Sequence, residues 1–287
     1  MILVTGAAGK TGRAVVKALA ARGARVRALA HRPEHAGALM ALGAAEVSVG
    51  NFEDARTLAD AIACVQAIYH ICPNVSPQEV ACAQAVVAAA QAHRVKRFVY
   101  HSVLHPQIEA MPHHWRKMRV EEFLFSAGFD LTVLQPTAYV QNILGAWRGI
   151  VVEDVFRVPY PVETRLSLVD LEDVADAAAL VLTQDGHSGA IYELVGTKPL
   201  SQTEVAAAIG AALGRSVRAE AETVAAWEAR ARAGGMGEHE RVTLAAMFRY
   251  YANHGLVGNP NTLSWLLGRA PRDLVSFLGC IAVQSEV

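Results

Sequence analysis

The sequence predicts a doubly wound α/β protein: a parallel sheet covered by helices on both faces, with a second, smaller and mostly helical lobe. Two observations carry this. Short apolar runs rich in β-branched residues alternate with Ala-rich stretches of helical spacing through the first half of the chain, the rhythm of strand-helix-strand crossovers. A glycine-rich turn, Thr5-Gly6-Ala7-Ala8-Gly9-Lys10-Thr11-Gly12, stands directly between the first apolar run and the first helical stretch.

Residues 2–5, 25–30, 46–49, 67–72, 96–101 and 131–135 are the expected strands, each a continuous apolar run suited to burial on both faces. Helical spacing fills the intervals at 11–22, 34–42, 54–63, 77–93 and 114–127. Residues 170–182 predict a helix with acidic residues in its first turn, and 190–195 a strand able to rejoin the sheet. Ser201-Gln202-Thr203-Glu204 is a capping box, and the helix it opens should stop at Gly214. Further helices are expected at 224–233, 241–254, 261–267 and 272–278. The organisation expected is a dinucleotide-binding domain of residues 1–148 with 168–196, and a smaller lobe of residues 149–167 with 197–287 for substrate or partner.

The chain has 287 residues, 53% of them hydrophobic and 18% charged, enough apolar content to bury a substantial core. A formal net charge of -1 argues against nucleic-acid binding through bulk charge. Residues 1–150 hold 15 basic and 10 acidic side chains and the remainder 11 and 17, a polarity that suits an anionic ligand on the first half. Met1-Ile2-Leu3-Val4 reads as a strand and not as a secretion signal. The most apolar long stretch, 80–92, is interrupted by Gln84 and Gln91 and is shorter than the roughly 20 residues a membrane span needs. Cys64, Cys72, Cys82 and Cys280 form no pattern of metal-ligand spacing, so a reducing cytoplasm and no metal are expected.

In the turn, Gly6, Gly9 and Gly12 meet three demands at once: a sharp reversal, bare backbone facing a diphosphate, and close packing of helix on sheet. Ala8 and Thr11 complete the expected cradle, the helix amino terminus offers amide groups and partial positive charge, and Lys10 is close enough in sequence to help Arg32 hold a 2′-phosphate. Where an NAD site prefers an acidic residue about 20 positions further on, this chain has Arg32, which suits the 2′-phosphate of NADP; NAD is the poorer fit. Asn51 is placed to bond an adenine edge. Phe52 either covers that ring or anchors the core. Pro73 would hold the loop beside the nicotinamide ribose, where Cys72 is a buried inert thiol or a nucleophile.

These segments, with 95–102 (Val-Lys-Arg-Phe-Val-Tyr-His-Ser), 131–136 (Leu-Thr-Val-Leu-Gln-Pro), 169–175 (Val-Asp-Leu-Glu-Asp-Val-Ala), 189–194 and 267–272, resemble the NmrA-like branch of the short-chain dehydrogenase/reductase superfamily over nearly the whole chain. The resemblance implies a two-lobed NADP- or NAD-binding protein. It would be either a reductase of quinones, dyes or carbonyl compounds, or a nucleotide-sensing regulator of a partner protein. The wider superfamily uses a serine after the fifth strand and a tyrosine four residues before a lysine. Here Ser102 and Lys117 are kept, and His113 stands where the tyrosine would be. His113 could give a proton, position a ligand, or do neither. Lys117 is expected to bind the ribose hydroxyls, with an ion pair to Glu121 one helical turn away as the alternative. Backbone amides past Pro136 are expected at the carboxamide, and Gln135 replaces the arginine usual before that proline. Tyr139 and Asn142, with Trp115 and Trp147, would either line a cavity for a flat acceptor or serve packing between the lobes. A missing tyrosine weighs more against simple ketones than against quinones, whose developing charge is delocalised. The combined expectation is an NADPH-dependent reductase of quinone-like small molecules.

Overall fold

The computed structural model describes residues 1–285. Strands and helices alternate as β1 (Ile2–Val4), α1 (Lys10–Ala21), β2 (Val26–Ala30), α2 (Ala36–Ala41), β3 (Glu46–Val49), α3 (Ala55–Ile62), β4 (Ala67–His70), α4 (Glu79–Ala92), β5 (Arg97–His101), α5 (Pro112–Phe125) and β6 (Asp130–Pro136). After them come β7 (Ala138–Tyr139), α6 (Trp147–Glu153), β8 (Val155–Val158), β9 (Leu168–Val169), α7 (Leu171–Thr183), β10 (Ala190–Leu194), α8 (Gln202–Leu213), β11 (Arg218–Ala221), α9 (Val224–Ala233), α10 (Glu238–His254), α11 (Asn261–Leu267) and α12 (Leu274–Ser285). The helix expected at 34–42 is divided: Pro33 opens a separate 3-10 turn, Pro33–His35, before α2.

Seven strands form one sheet in the order β10-β6-β5-β4-β1-β2-β3, and the pairings from β6 to β3 are all parallel. The chain runs outward from β1 to β3 and then returns past β1 to build β4, β5 and β6. That reversal opens a crevice at the carboxyl ends of β1 and β4, where doubly wound sheets bind ligands. Leu3, Leu29, Ile68, Phe98 and Val133 of the strands share a buried cluster with Ile62, Val86, Val120 and Leu124 of α3, α4 and α5.

The chain divides into two compact units. One comprises Met1–Gln107, His113–Gln135 and Val174–Tyr192, the other Ile108–Pro112, Pro136–Asp173 and Glu193–Val287. In the second, β8 pairs with β11 and β7 with β9, both parallel, and Tyr160, Trp227, Phe248 and Tyr251 form an aromatic cluster. These four short strands were not expected. Arg218-Ala219-Glu220-Ala221 has neither a continuous apolar run nor β-branched residues, so β11 owes its form to its neighbour β8. The predicted capping box opens α8, with Ser201 and Glu204 bonding each other's backbone amides, and Gly214 closes the helix at φ +65°. No described helix is long and apolar enough to cross a membrane.

Candidate functional site

The turn after β1 is held from the side. Thr5 Oγ1 lies 3.1 Å from His70 Nδ1, donates to the Ile71 carbonyl at 3.2 Å and accepts from the Ile71 amide at 3.0 Å, pinning the ends of β1 and β4 together. Gly6 has φ +56°, and a Cβ there would lie 2.9 Å from the Ile71 carbonyl oxygen. At Gly12, which is buried in the first turn of α1, a Cβ would come within 2.3 Å of the Gly6 carbonyl oxygen and 2.7 Å of Ala7 Cα. Gly9 caps α1 with no side-chain hydrogen bond to the opening amides. A diphosphate asks for backbone approach and an uncapped helix start, and this turn supplies both. Ala8 is half-buried, Thr11 buried and Lys10 exposed at the head of α1.

The remaining strand ends lie along the same edge of the sheet. Arg32 follows β2 and is exposed. Asn51 follows β3, but its Oδ1 accepts from the amides of Glu53 at 2.9 Å and Asp54 at 2.8 Å, closing a local turn. Only its amino group is left for a ligand. Phe52 packs against the core with its ring edge-on to His70, 5.7 Å between centroids, which is the core-anchor arrangement. Cys72 is buried, and the hydrogen bond its thiol donates to Cys82, together with burial, pushes it up, as for an inert thiol rather than a nucleophile. Pro73 beside it is exposed.

Lys117, on α5, makes no local ion pair with Glu121. Its Nζ donates to Glu79 Oε1 at 2.9 Å and to the His101 carbonyl at 3.0 Å, and lies 5.2 Å from the centre of the Tyr100 ring. Tyr100 donates to the same Glu79 oxygen at 2.8 Å. Glu121 is turned inward, where its carboxylate accepts from the Ser102 hydroxyl and, at 3.0 Å, from the Gln135 amide. Burial pushes Glu121 up, and these two donors draw it back. The Ser102 hydroxyl is therefore committed to a carboxylate. Tyr100 is no stand-in for the missing tyrosine, since it is fully buried with its hydroxyl on Glu79 and burial raises it well above the ordinary range.

His113 does not titrate near neutrality. Burial, with the neighbouring His114 and Lys117, lowers it to about 3, and its buried Nδ1 has no hydrogen-bond partner among the described residues. His70 and His114 are lowered to about 4 and His101 well below 6.5, burial being the main cause in each. These four imidazoles stay neutral in the folded protein while their unfolded counterparts take up protons below pH 6.5. Their contribution is complete above that pH and is lost as pH falls, each by about 1.4 kcal/mol per pH unit until its folded pKa is reached. Glu121, raised by burial, works in the opposite direction over a narrower span. Urea unfolding at pH 7.5, 6 and 5 should show a steep monotonic loss of stability; a flat profile would contradict the buried neutral histidines.

Pro136 closes β6, and the next amide, that of Thr137, already donates to the Leu194 carbonyl at 3.1 Å, so it is not available to a carboxamide. Tyr139 is half-buried in β7. The sequence reading overlooked Glu79, Tyr100 and His70. Glu79, the single charged residue of the Ala-rich α4, was the one available signal.

A parallel sheet with its switch point beside a glycine turn, an uncapped helix start and a fixed lysine defines a doubly wound protein of the dinucleotide-binding class. Residues 1–278 match the NmrA-like family, and the chain belongs to it. An NAD(P)H azoreductase of Xenophilus azovorans is 32% identical over 285 residues, covering 96% of each chain. Quinone oxidoreductase 2 of Escherichia coli strain K12 is 27% identical over 270 residues, covering 93% of this chain and 94% of its own. The crystal structure of an Escherichia coli NADPH-dependent quinone oxidoreductase complexed with NADPH superposes with a TM-score of 0.86 at 26% identity, over 98% of this chain and 99% of that one.

Proposed function

We propose that this protein is an NADPH-dependent reductase of quinones or similar flat, conjugated acceptors. The observation that carries the choice of acceptor is the state of the three groups best placed to give a proton. His113 is neutral with its pKa near 3, Tyr100 is buried on Glu79, and the Ser102 hydroxyl is bound to Glu121. A simple ketone needs an acid at its oxygen as hydride arrives; a quinone spreads the developing charge over its ring and needs less help. The names of the azoreductase and quinone oxidoreductase relatives support the same reading.

NADPH, when bound, supplies the hydride. The Gly6–Gly12 turn receives the diphosphate on backbone amides and the positive end of α1, with Lys10 alongside. Arg32 receives the 2′-phosphate, an assignment open to direct test: Arg32→Ala should weaken NADPH about tenfold or more and leave NADH nearly unchanged, whereas equal losses would remove Arg32 from the phosphate. Of the three N–H donors on Lys117, two are taken by Glu79 and the His101 carbonyl, and the third is left for a ribose hydroxyl. Cys72, Pro73, Phe52 and the Asn51 amino group border the crevice. Purified protein should consume NADPH with naphthoquinones and azo or triarylmethane dyes and leave aliphatic ketones untouched. Ketone turnover at a comparable rate, or none with any flat acceptor, would overturn the reading.

A further inference from the structure

We infer that Glu79 is a positioning residue for nucleotide binding, holding the Lys117 ammonium at the carboxyl end of β5 with one N–H left for the ribose. The inference rests on the assignment of Lys117 made above and extends it to a residue on a different helix. Glu79 lies in the first turn of α4, where an acidic side chain commonly complements the helix dipole from the solvent side. This one is turned inward. Its side chain is 3% exposed and that of Lys117 14%, so both charges have given up most of their water for each other.

The surroundings of Lys117 are closed on three sides. The Glu79 carboxylate and the His101 carbonyl each accept one N–H, and the Tyr100 ring lies beneath at 5.2 Å. Tyr100 also donates to Glu79 Oε1, so that oxygen is fixed from β5 as well as from α5. Glu79 and Lys117 are 38 residues apart, and the bond ties α4 to α5 across the end of the sheet. Such a pair does little for stability that an apolar pair of similar volume would not do as well, because desolvating two charges costs about what their attraction returns. What an apolar pair would not supply is a cation held in one place beside the crevice. A lysine restrained before the nucleotide arrives loses less side-chain freedom on binding, and this is the gain Glu79 provides.

The test has two readouts on the full-length protein. In nucleotide-free protein, the labelling rate of Lys117 by an amine-reactive reagent, followed by peptide mass spectrometry, should rise about tenfold in Glu79→Gln and by less in Glu79→Asp. The NADPH Kd should rise about tenfold in Glu79→Gln, with kcat at saturating NADPH nearly kept, and Glu79→Asp should recover part of the affinity. In a Lys117→Ala background Glu79→Gln should change the Kd no further. Faster labelling with an unchanged NADPH Kd would overturn the inference and leave the assignment of Lys117 standing. An unchanged Kd in Lys117→Ala itself would overturn both. If Glu79→Gln does not fold, Glu79→Asp decides by the same two readouts.

Discussion

Replacing Gly12 by alanine is expected to destabilise the protein by about 3 kcal/mol and to abolish NADPH binding. The added methyl group would stand 2.3 Å from the Gly6 carbonyl oxygen and 2.7 Å from Ala7 Cα, both backbone atoms that cannot rotate away. Either α1 moves off the sheet or the turn opens, and in both cases the amides meant for the diphosphate lose their aim. Gly12 has no positive φ, so the effect is purely one of space. Gly37, inside α2 with nothing near its absent Cβ, is the natural contrast, and alanine there should be neutral or stabilise by up to about 1 kcal/mol. Urea unfolding and NADPH titration of the two variants decide the matter; a Gly12→Ala protein that binds normally would show that the turn does not carry the nucleotide.

Lys117→Ala is expected to lower kcat/KM for NADPH about 100-fold, the scale of a lost charge-assisted hydrogen bond in a site of restricted solvent. It should also cost stability, because Glu79 is left as a buried carboxylate with only Tyr100 to answer it. Removing one partner of a buried pair costs about 3–5 kcal/mol, and the partial exposure of Lys117 places this case near the lower end. Nucleotide titration at a temperature well below the melting transition separates the two effects. A loss of stability with unaltered kcat/KM would reduce Lys117 to a structural role.

What could be read from the sequence depended on how local its cause was. Strands β1, β2, β4, β5 and β6 are mostly buried, and that burial is written into each run on its own, whereas the edge strand β3, Glu-Val-Ser-Val, has no buried residue and departs from the expected burial on both faces. The glycine turn was legible for a similar reason, since its demands on backbone are met within eight residues. Lys117 was found, but its partner was not: Glu121 stands one helical turn away and invites a local pairing, whereas Glu79 arrives from another helix and only the sheet topology brings it near. His113 looked like a titrating group because its pKa is set by burial, which a lone position does not reveal. Asn51 is the opposite case. Its turn with Glu53 and Asp54 is local chemistry of a kind that side-chain spacing could have disclosed.

The most direct test is calorimetric titration of the purified protein with NADPH and with NADH. A single site should give measurable heat with both nucleotides and the tighter binding with NADPH, the preference disappearing in Arg32→Ala. No heat with either nucleotide would contradict a dinucleotide site at the glycine turn, and with it the reductase chemistry built upon that site.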